Sequence, residues 1–192
     1  MKRLFLMAAM VCSMLTAANA QNVSGNCYRG FVDAGYTFGT GDYKFGRIEV
    51  NTSHGFQINP YVYMGAGAGF HFMSSYETPD MVYPLDIRDS KVDVPVFANI
   101  RGNLTKGKIT PFLDLKGGMF VTNSGGLYVS ASLGCRIATN EKQAFNVSVG
   151  YSIEKLEFQT FSHFTSSKNM DYTREGRKLE ATGISLRIGY EF

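Results

Sequence analysis

Apolar and polar residues alternate along the chain from residue 28 onward, and no segment sustains a helical period of 3.6 residues. In the last segment, for example, the apolar side chains of Leu186 and Ile188 flank Arg187. Turn residues such as Asn59 and Pro60 separate the alternating segments. The pattern predicts eight β-strands, at 28–38, 45–58, 61–73, 92–104, 109–122, 127–137, 145–153 and 179–192.

The connections between the predicted strands differ in length. Those after the second, fourth and sixth strands are short turns, whereas polar stretches at 74–91 and 157–177 predict long loops after the third and seventh. Short connections at one end and longer ones at the other are typical of an up-and-down barrel in an outer membrane. The long loops contain aromatic residues such as Tyr76 and Phe161, which makes them a candidate contact surface for an external ligand.

One face of most predicted strands is aliphatic and aromatic, and the other consists of glycine, serine, asparagine and charged residues. If the apolar face pointed inward, the outer surface would be unusually rich in glycine and serine for a soluble barrel. If it points into lipid, the small residues fill a narrow lumen, and strands of about 10 residues are long enough to cross a bilayer. We therefore predict an all-β fold, an eight-stranded antiparallel up-and-down transmembrane β-barrel with short periplasmic turns and longer outer loops.

The polar face contains cations and anions in equal number. Charges removed from bulk water are stable only when they are paired and hydrogen-bonded, and eight strands enclose a space that side chains can fill. An internal ion-pair network that closes the lumen is the expectation. Its predicted members are Arg29, Asp33, Arg47, Glu49, Asp93, Arg101, Asp114, Lys116, Arg136, Glu154, Arg187 and Glu191.

The first twenty residues have a different composition from the rest of the 192-residue chain. Lys2 and Arg3 precede an apolar stretch, and the segment closes on Ala18-Asn19-Ala20, which predicts a signal peptide at 1–20 that is cleaved before the barrel domain at 21–192. Its removal lowers the formal net charge from +3 to +1, too weak a field to favour nucleic acid. A hydrophobic content of 44%, with 21 glycines and 15 phenylalanines, excludes disorder and favours strands.

Candidate chemistry is sparse. Cys27 and Cys135 lack metal-ligand spacing and lie on strands that are not neighbours, so two free thiols are predicted. Gly65, Gly67 and Gly69 alternate with alanine inside a strand, which indicates crowding in the lumen rather than a phosphate-binding loop. No metal and no cofactor is predicted.

Histidines near the outer rim leave an enzymatic alternative open, because some outer-membrane barrels modify lipids with a histidine next to a serine or a carboxylate. His71 with Ser74 and Glu77 is one candidate set, and His163 with Ser162, Ser166 or Ser167 is the other.

His54 does not fit the alternation, since it falls on the lipid-facing side of its predicted strand. A β-bulge near this residue would turn its side chain inward.

The C-terminal strand carries the most specific resemblance to a known family. The chain ends on an aromatic residue with Tyr190 two positions before it, and Gly65–Phe70 follows a turn at Asn59-Pro60. From residue 28 to the end, the sequence resembles small eight-stranded outer-membrane barrels of the OmpA-transmembrane-domain-like superfamily. In that family the terminal strand is the signal for the barrel-insertion machinery, which here implies a role for Ile184, Leu186, Ile188, Tyr190 and Phe192.

The sequence thus predicts a monomeric protein of the outer membrane of a Gram-negative cell, exported through its signal peptide, with membrane lipid and the insertion machinery as partners. Its predicted role is structural or in surface interaction, without enzymatic activity. The resemblance does not extend to peptidoglycan anchoring, since the sequence stops at the barrel. A lipid-modifying enzyme and a soluble periplasmic ligand-binding barrel remain the alternatives.

Overall fold

The structure is a computed structural model that describes residues 27–78, 85–123, 125–140, 143–166 and 169–192. None of these residues forms a helix long and apolar enough to cross a membrane. The predicted signal peptide and its cleavage site lie outside the described residues. The strands are β1 (Cys27–Thr40), β2 (Arg47–Asn59), β3 (Val62–Met73), β4 (Tyr76–Glu77), β5 (Leu85–Arg88), β6 (Lys91–Asp93), β7 (Pro95–Asn103), β8 (Ile109–Phe120), β9 (Leu127–Ala138), β10 (Ala144–Ser166) and β11 (Asn169–Glu191).

Eight of these strands form a closed antiparallel ring in the order β11-β1-β2-β3-β7-β8-β9-β10, and pairing of β10 with β11 completes it. The all-β fold and the antiparallel barrel predicted from the sequence are therefore confirmed. The short turns after β2, β7 and β9 lie at one end, here called the turn end, together with the beginning of β1 and the end of β11. The longer connections lie at the opposite end, here called the loop end.

The loop end contains more regular structure than the sequence pattern predicted. The stretch 157–177, predicted to be a loop, continues the last two barrel strands, which pair from Ala144↔Glu191 to Ser166↔Asn169 as one long hairpin. The stretch 74–91 contains β4 and β5, and β5 pairs with the outer part of β10 at Gln159↔Ile87. The loop prediction for 157–177 was wrong, because polar residues also form strands where neighbouring strands satisfy their backbone hydrogen bonds. The stretch 74–91 remains a long connection, with short strands inside it.

The outward face of the barrel is apolar. Leu133 is 59% exposed and Ile188 is 67% exposed, whereas the intervening residues along the strands point inward. An outward row of this kind is what hydrocarbon contact requires of a membrane barrel. The exposed row includes Val32, Ile48, Val50, Phe70, Phe72, Val96, Ile100, Leu113, Leu115, Val129, Leu133, Val147, Val149, Leu186 and Ile188.

The alternation of inward and outward residues breaks once between β6 and β7, which together correspond to the fourth predicted strand. Asp93, Val94 and Pro95 are buried in succession, and Val96 is the next outward residue. Strict alternation through the predicted strand 92–104 would place Val94 on the lipid-facing side with Val96, and for Val94 this is wrong. Its backbone NH donates to the Thr122 side-chain hydroxyl at 2.9 Å, and the chain shifts parity at this point.

Glycines on β3 let large side chains enter the lumen. A Cβ atom at Gly67 would lie 2.7 Å from the Phe97 ring, and one at Gly69 would overlap the side chain of Asn51. Both glycines lie in the middle of β3, away from any strand-to-helix turn. Their role is to make room for neighbouring side chains in the lumen.

Candidate functional site

The candidate site is the barrel lumen, where inward-facing side chains form successive layers between the turn end and the loop end. At the turn end, Glu191 lies between two arginines. Its carboxylate accepts from Arg136 Nε at 2.7 Å and Arg136 Nη2 at 3.0 Å, and Arg29 Nη1 lies 3.0 Å from Glu191 Oε1. These contacts connect β1, which carries Arg29, to β9 and β11.

The next layer inward is built around Arg101. Its guanidinium lies between the rings of Phe31 and Phe112, 4.1 and 4.2 Å from their centroids, and its Nε donates to Asp114 at 2.8 Å. Tyr63 packs edge-on against Phe31, with ring centroids 4.8 Å apart. Stacked rings and a paired charge leave Arg101 almost inaccessible to water, so this layer seals the lumen above the turn end.

Lys116 spans the middle of the lumen. Its ammonium donates to Asp33 at 2.9 Å, and the two residues lie on β8 and β1, which are opposite each other in the ring. Asn99 donates to Asp114 at 3.1 Å and accepts from Ser53. The lumen at this level is therefore crossed by an ion pair and flanked by amide and hydroxyl groups.

Two glutamates and two arginines form the next layer toward the loop end. Arg187 donates to Glu49 through Nη2 at 2.9 Å and Nε at 3.1 Å. Arg47 Nε lies 3.1 Å from Glu154 and 3.3 Å from Glu49, and all four side chains are buried. His71 contributes Nδ1 at 3.4 Å from Glu154. The layer is electrically balanced when the histidine is neutral.

Metal coordination is one chemical possibility for this layer. Glu49, His71 and Glu154 have ligand atoms within 4.8 Å of one another. However, Arg47 lies within 3.3 Å of both carboxylates and already neutralises part of their charge. A divalent cation would have to displace that guanidinium in a buried space, so the donor set fits an ion-pair network better than a metal site.

Aromatic side chains close the lumen toward the loop end. Phe120 and Tyr128 cover His71, with ring centroids 5.6 and 5.3 Å from the imidazole. Phe158 and Phe45 pack above them at the loop end, 6.1 Å apart. We call this group the aromatic plug; its buried members are Phe45, Met73, Phe97, Phe120, Tyr128, Leu156, Phe158 and Ala181.

Polar contacts hold the loop-end strands against the aromatic plug. Arg88 on β5 donates to Asp93, and its Nη1 donates to the Glu157 carbonyl at 2.7 Å. Tyr43 donates to Asp86 at 3.0 Å, and Thr160 donates to the same carboxylate at 2.6 Å. Burial and the Asp86 carboxylate together raise the pKa of Tyr43 to about 12.

Every predicted member of the ion-pair network has an oppositely charged neighbour in the structure. Asp93, however, pairs with Arg88, a residue that the sequence pattern left in a predicted loop. The aromatic members of the lumen were also missed, among them Phe97, Phe112 and Phe120. The signal was available, since each of these phenylalanines has the parity of a neighbouring lumen-facing charge, such as Lys116.

The histidine sets proposed for an enzyme are placed as follows. His71 is fully buried beneath the aromatic plug and hydrogen-bonds Asn51 at 3.2 Å, whereas Glu77 is exposed on β4 at the loop end. The structure does not bring His71 together with Ser74 or Glu77. The side chains of Ser162, His163 and Ser166, and all of Ser167, lie outside the described residues.

His54 stays on the outward face, in regular register with Gly30 and Ala66. The suggested bulge at this position is wrong, since the irregularity in β2 lies at Gln57/Asn59. Instead, both ring nitrogens of His54 have hydrogen-bond partners on the same face. Its Nδ1 is 2.5 Å from the Tyr28 hydroxyl and its Nε2 is 2.9 Å from the Thr52 hydroxyl.

The cysteines and the C-terminal strand can also be placed. Cys135 is an exposed free thiol on β9, and the side chain of Cys27 lies outside the described part of the chain. The C-terminal strand pairs with both β1 and β10, and Ile184, Leu186 and Ile188 lie on its exposed face. Tyr190 and Phe192 are half-buried near the turn end.

No family model and no curated protein matches the sequence. Among solved structures, Neisserial surface protein A (NspA) is similar over 89% of this chain and 98% of its own, with 13% identity and a TM-score of 0.49. The outer membrane protease OmpT from Escherichia coli is similar over 91% and 99%, with 9% identity and a TM-score of 0.43. The translocator domain of the autotransporter NalP from Neisseria meningitidis covers 100% and 97%, with 12% identity and a TM-score of 0.25.

The order and pairing of the strands establish the fold class independently of these comparisons. The chain is a closed eight-stranded antiparallel β-barrel. The predicted resemblance to small barrels of this kind is confirmed at the level of the fold, through the ring order and the closing pair of β10 with β11.

Proposed function

We propose that this protein spans the outer membrane of a Gram-negative cell as a closed barrel, with a structural or surface-interaction role. The main support for the proposal is that the barrel is apolar on its outer face and charged in its lumen, the reverse of a soluble barrel. Leu133, Val147 and Leu186 are at least half exposed on the outside, while Arg47 and Glu49 are buried in the lumen. Water-soluble proteins rarely expose apolar patches beyond a few hundred Å², and this row encircles the barrel.

The same inversion argues against a soluble periplasmic barrel. A soluble ligand-binding barrel needs an apolar interior cavity and a polar outer surface. Here the described lumen is filled by ion pairs and by the aromatic plug. Membrane-spanning barrels with short turns at one end and longer connections at the other are characteristic of the bacterial outer membrane.

Membrane fractionation tests this proposal. We expect the protein to remain in the outer-membrane fraction after carbonate extraction and to migrate faster on a gel when it is not heated, because the closed barrel stays compact in detergent. Release of the protein by carbonate would contradict membrane insertion.

A matched pair of variants tests which face meets lipid. Leu133→Arg places a charge on the outward face of β9, and we expect it to lower barrel stability by about 2–4 kcal/mol if the position lies near the bilayer midplane. Lys155→Leu, at an exposed position near the loop end of β10, serves as the control and should be close to neutral. Equal tolerance of the two substitutions would place the outer face in water.

The surface-interaction part of the proposal is supported by the loop end. The paired extensions of β10 and β11, together with β4 and β5, form a sheet that continues beyond the ring. If this end faces the outside, protease added to intact cells should cleave within residues 157–177 and leave the barrel protected. Cleavage only after the outer membrane is opened would reverse the orientation.

A non-enzymatic role is also part of the proposal. His71 is enclosed by Asn51, Glu154 and the rings of Phe120 and Tyr128, so a lipid has no route to it through the described residues. We expect His71→Ala and His163→Ala to leave the lipid composition of the cell envelope unchanged. An altered lipid profile in either variant would favour the lipid-modifying enzyme.

A further inference from the structure

The turn end contains an open recess that the proposed function does not use. It has a volume of about 870 Å³, within the usual range of about 300–1,000 Å³ for small-molecule sites. Side chains from the beginning of the barrel and from all three short turns line it. Farther along the lumen, the Arg101 layer closes the barrel with two aromatic rings and a buried ion pair. The recess therefore does not lead into an open channel.

The charge of this recess is strongly one-sided. Four cationic residues line it, namely Arg29, Lys106, Lys108 and Arg136, against the single carboxylate of Glu191. A concave surface with a surplus of three positive charges concentrates anions. Glu141 and Lys142 in the third turn lie outside the described residues and carry opposite formal charges, so they do not change this balance.

Glu191 shows which chemistry the recess accommodates. Its carboxylate is held by two parallel contacts from Arg136 and a third from Arg29, all between 2.7 and 3.0 Å. Bidentate guanidinium contacts of this kind suit planar carboxylates and phosphates. Both arginines thus already bind an anion that belongs to the chain itself.

The two lysines are placed differently. The Lys106 ammonium lies 4.9 Å from the centroid of the Tyr61 ring, and Lys108 follows two residues later on the same exposed turn. Among the described residues, no carboxylate lies within 4.0 Å of either ammonium group. Their charge is therefore available to a ligand that enters the recess.

We propose that the recess binds a small soluble polyanion, whose phosphate or carboxylate groups bridge the two lysines and the Arg29–Arg136 pair. Glu191 is a built-in competitor, because its carboxylate occupies the same guanidiniums and repels a second anion. This inference goes beyond the proposed function and does not depend on which membrane holds the barrel. The test measures the binding of small polyanions to the protein in detergent micelles, where both ends of the barrel are accessible.

Pyrophosphate and citrate are suitable probes, titrated by calorimetry at constant ionic strength. We expect saturable binding of at least one of them at one site. The double substitution Lys106→Gln/Lys108→Gln should weaken that binding at least tenfold. The matched control Lys155→Gln/Lys178→Gln removes the same charge from the loop end and should leave the affinity within twofold of the unaltered protein.

The variant Glu191→Gln tests whether the Glu191 carboxylate competes with the bound anion, which a merely basic surface would not require. It removes the competing charge, so we expect affinity to rise severalfold, provided that the variant still shows heat-dependent gel migration and is therefore folded. Three results would overturn the proposal: no saturable binding of either probe, equal losses in the two lysine double variants, or unchanged affinity in a folded Glu191→Gln variant.

Discussion

At the scale of single residues, the lumen depends on charges that have no access to water. Arg101 lies between two phenylalanine rings, and its Nε donates a hydrogen bond to the Asp114 carboxylate. Both side chains are almost fully buried. Such a pair adds little net stability relative to well-packed apolar residues, but the loss of one partner leaves the other as an uncompensated buried charge.

We therefore expect Arg101→Met to destabilise the barrel by about 3–5 kcal/mol. The double variant Arg101→Met/Asp114→Leu should recover much of that loss, since no charge is then left without its partner. Urea-induced unfolding in detergent micelles measures both effects. Lys178→Met, an exposed substitution at the loop end, is the control. A double variant as unstable as the single one would show that the pair is needed for more than charge balance.

Tyr43 offers a second test at this scale, outside the membrane-spanning part. Burial and the hydrogen bond to Asp86 raise its pKa to about 12. Because the pKa is raised in the folded state, the contribution of the neutral phenol to loop-end stability is complete below its ordinary pKa near 10 and is lost as the pH rises through 12.

The absorbance of ionised tyrosine measures this titration, as the difference between the unaltered protein and Tyr43→Phe. We expect one phenol to titrate near pH 12 and, in Asp86→Asn, to titrate at a lower pH because the neighbouring negative charge is gone. A titration that Asp86→Asn leaves unmoved would mean that the carboxylate does not control this phenol.

At the scale of strands, the sequence allowed accurate placement wherever one face meets a different environment from the other. Leu113 and Leu115 flank Asp114 on β8, and the structure places both leucines on the outward face and Asp114 in the lumen, as the alternation predicts. The prediction failed where that contrast ends. Beyond residue 157, the apolar residues Phe158, Phe161 and Phe164 recur every three positions among polar ones, so a period of two residues no longer separates a strand from a loop.

Two adjacent glycines on β8 test the packing between strands. A Cβ atom at Gly118 would lie 2.6 Å from the Cα atom of Phe97 and would overlap the Val96 carbonyl, whereas one at Gly117 would meet no atom within 4 Å. We expect Gly118→Ala to lower stability by about 1–3 kcal/mol, as overpacking does. Gly117→Ala should be neutral or slightly stabilising, because alanine has the lower entropy cost in a strand. Urea titration of the two variants makes the comparison, and similar losses in both would contradict this packing.

At the scale of the whole molecule, the sequence identified which charges point inward but not which of them meet. Arg101 and Asp114 are paired across neighbouring strands, and a correct strand register would have matched them. Asp33 and Lys116 lie on opposite sides of the ring, and Arg47 meets Glu154 from strands that are not neighbours. Such contacts depend on strand tilt and stagger around the barrel, which a period of two residues does not contain.

The stacking of these layers leads to the last prediction, which concerns conduction. From the turn end to the loop end, an ion would have to pass the Arg101 layer, the Lys116–Asp33 bridge, the glutamate–arginine layer and then the aromatic plug. Because these four layers lie one after another along the lumen, we expect that removing one of them does not open it.

We expect no stepwise conductance from the unaltered barrel in a planar lipid bilayer, with a known channel-forming peptide as the positive control. The variant Phe120→Ala/Tyr128→Ala, which removes part of the plug, should also stay at the baseline. Its ionic layers remain in place, and their charges are held by hydrogen bonds rather than by the plug. Conductance that appears only in this variant would show that the aromatic plug is the sole barrier and that the ion pairs beneath it admit water and ions.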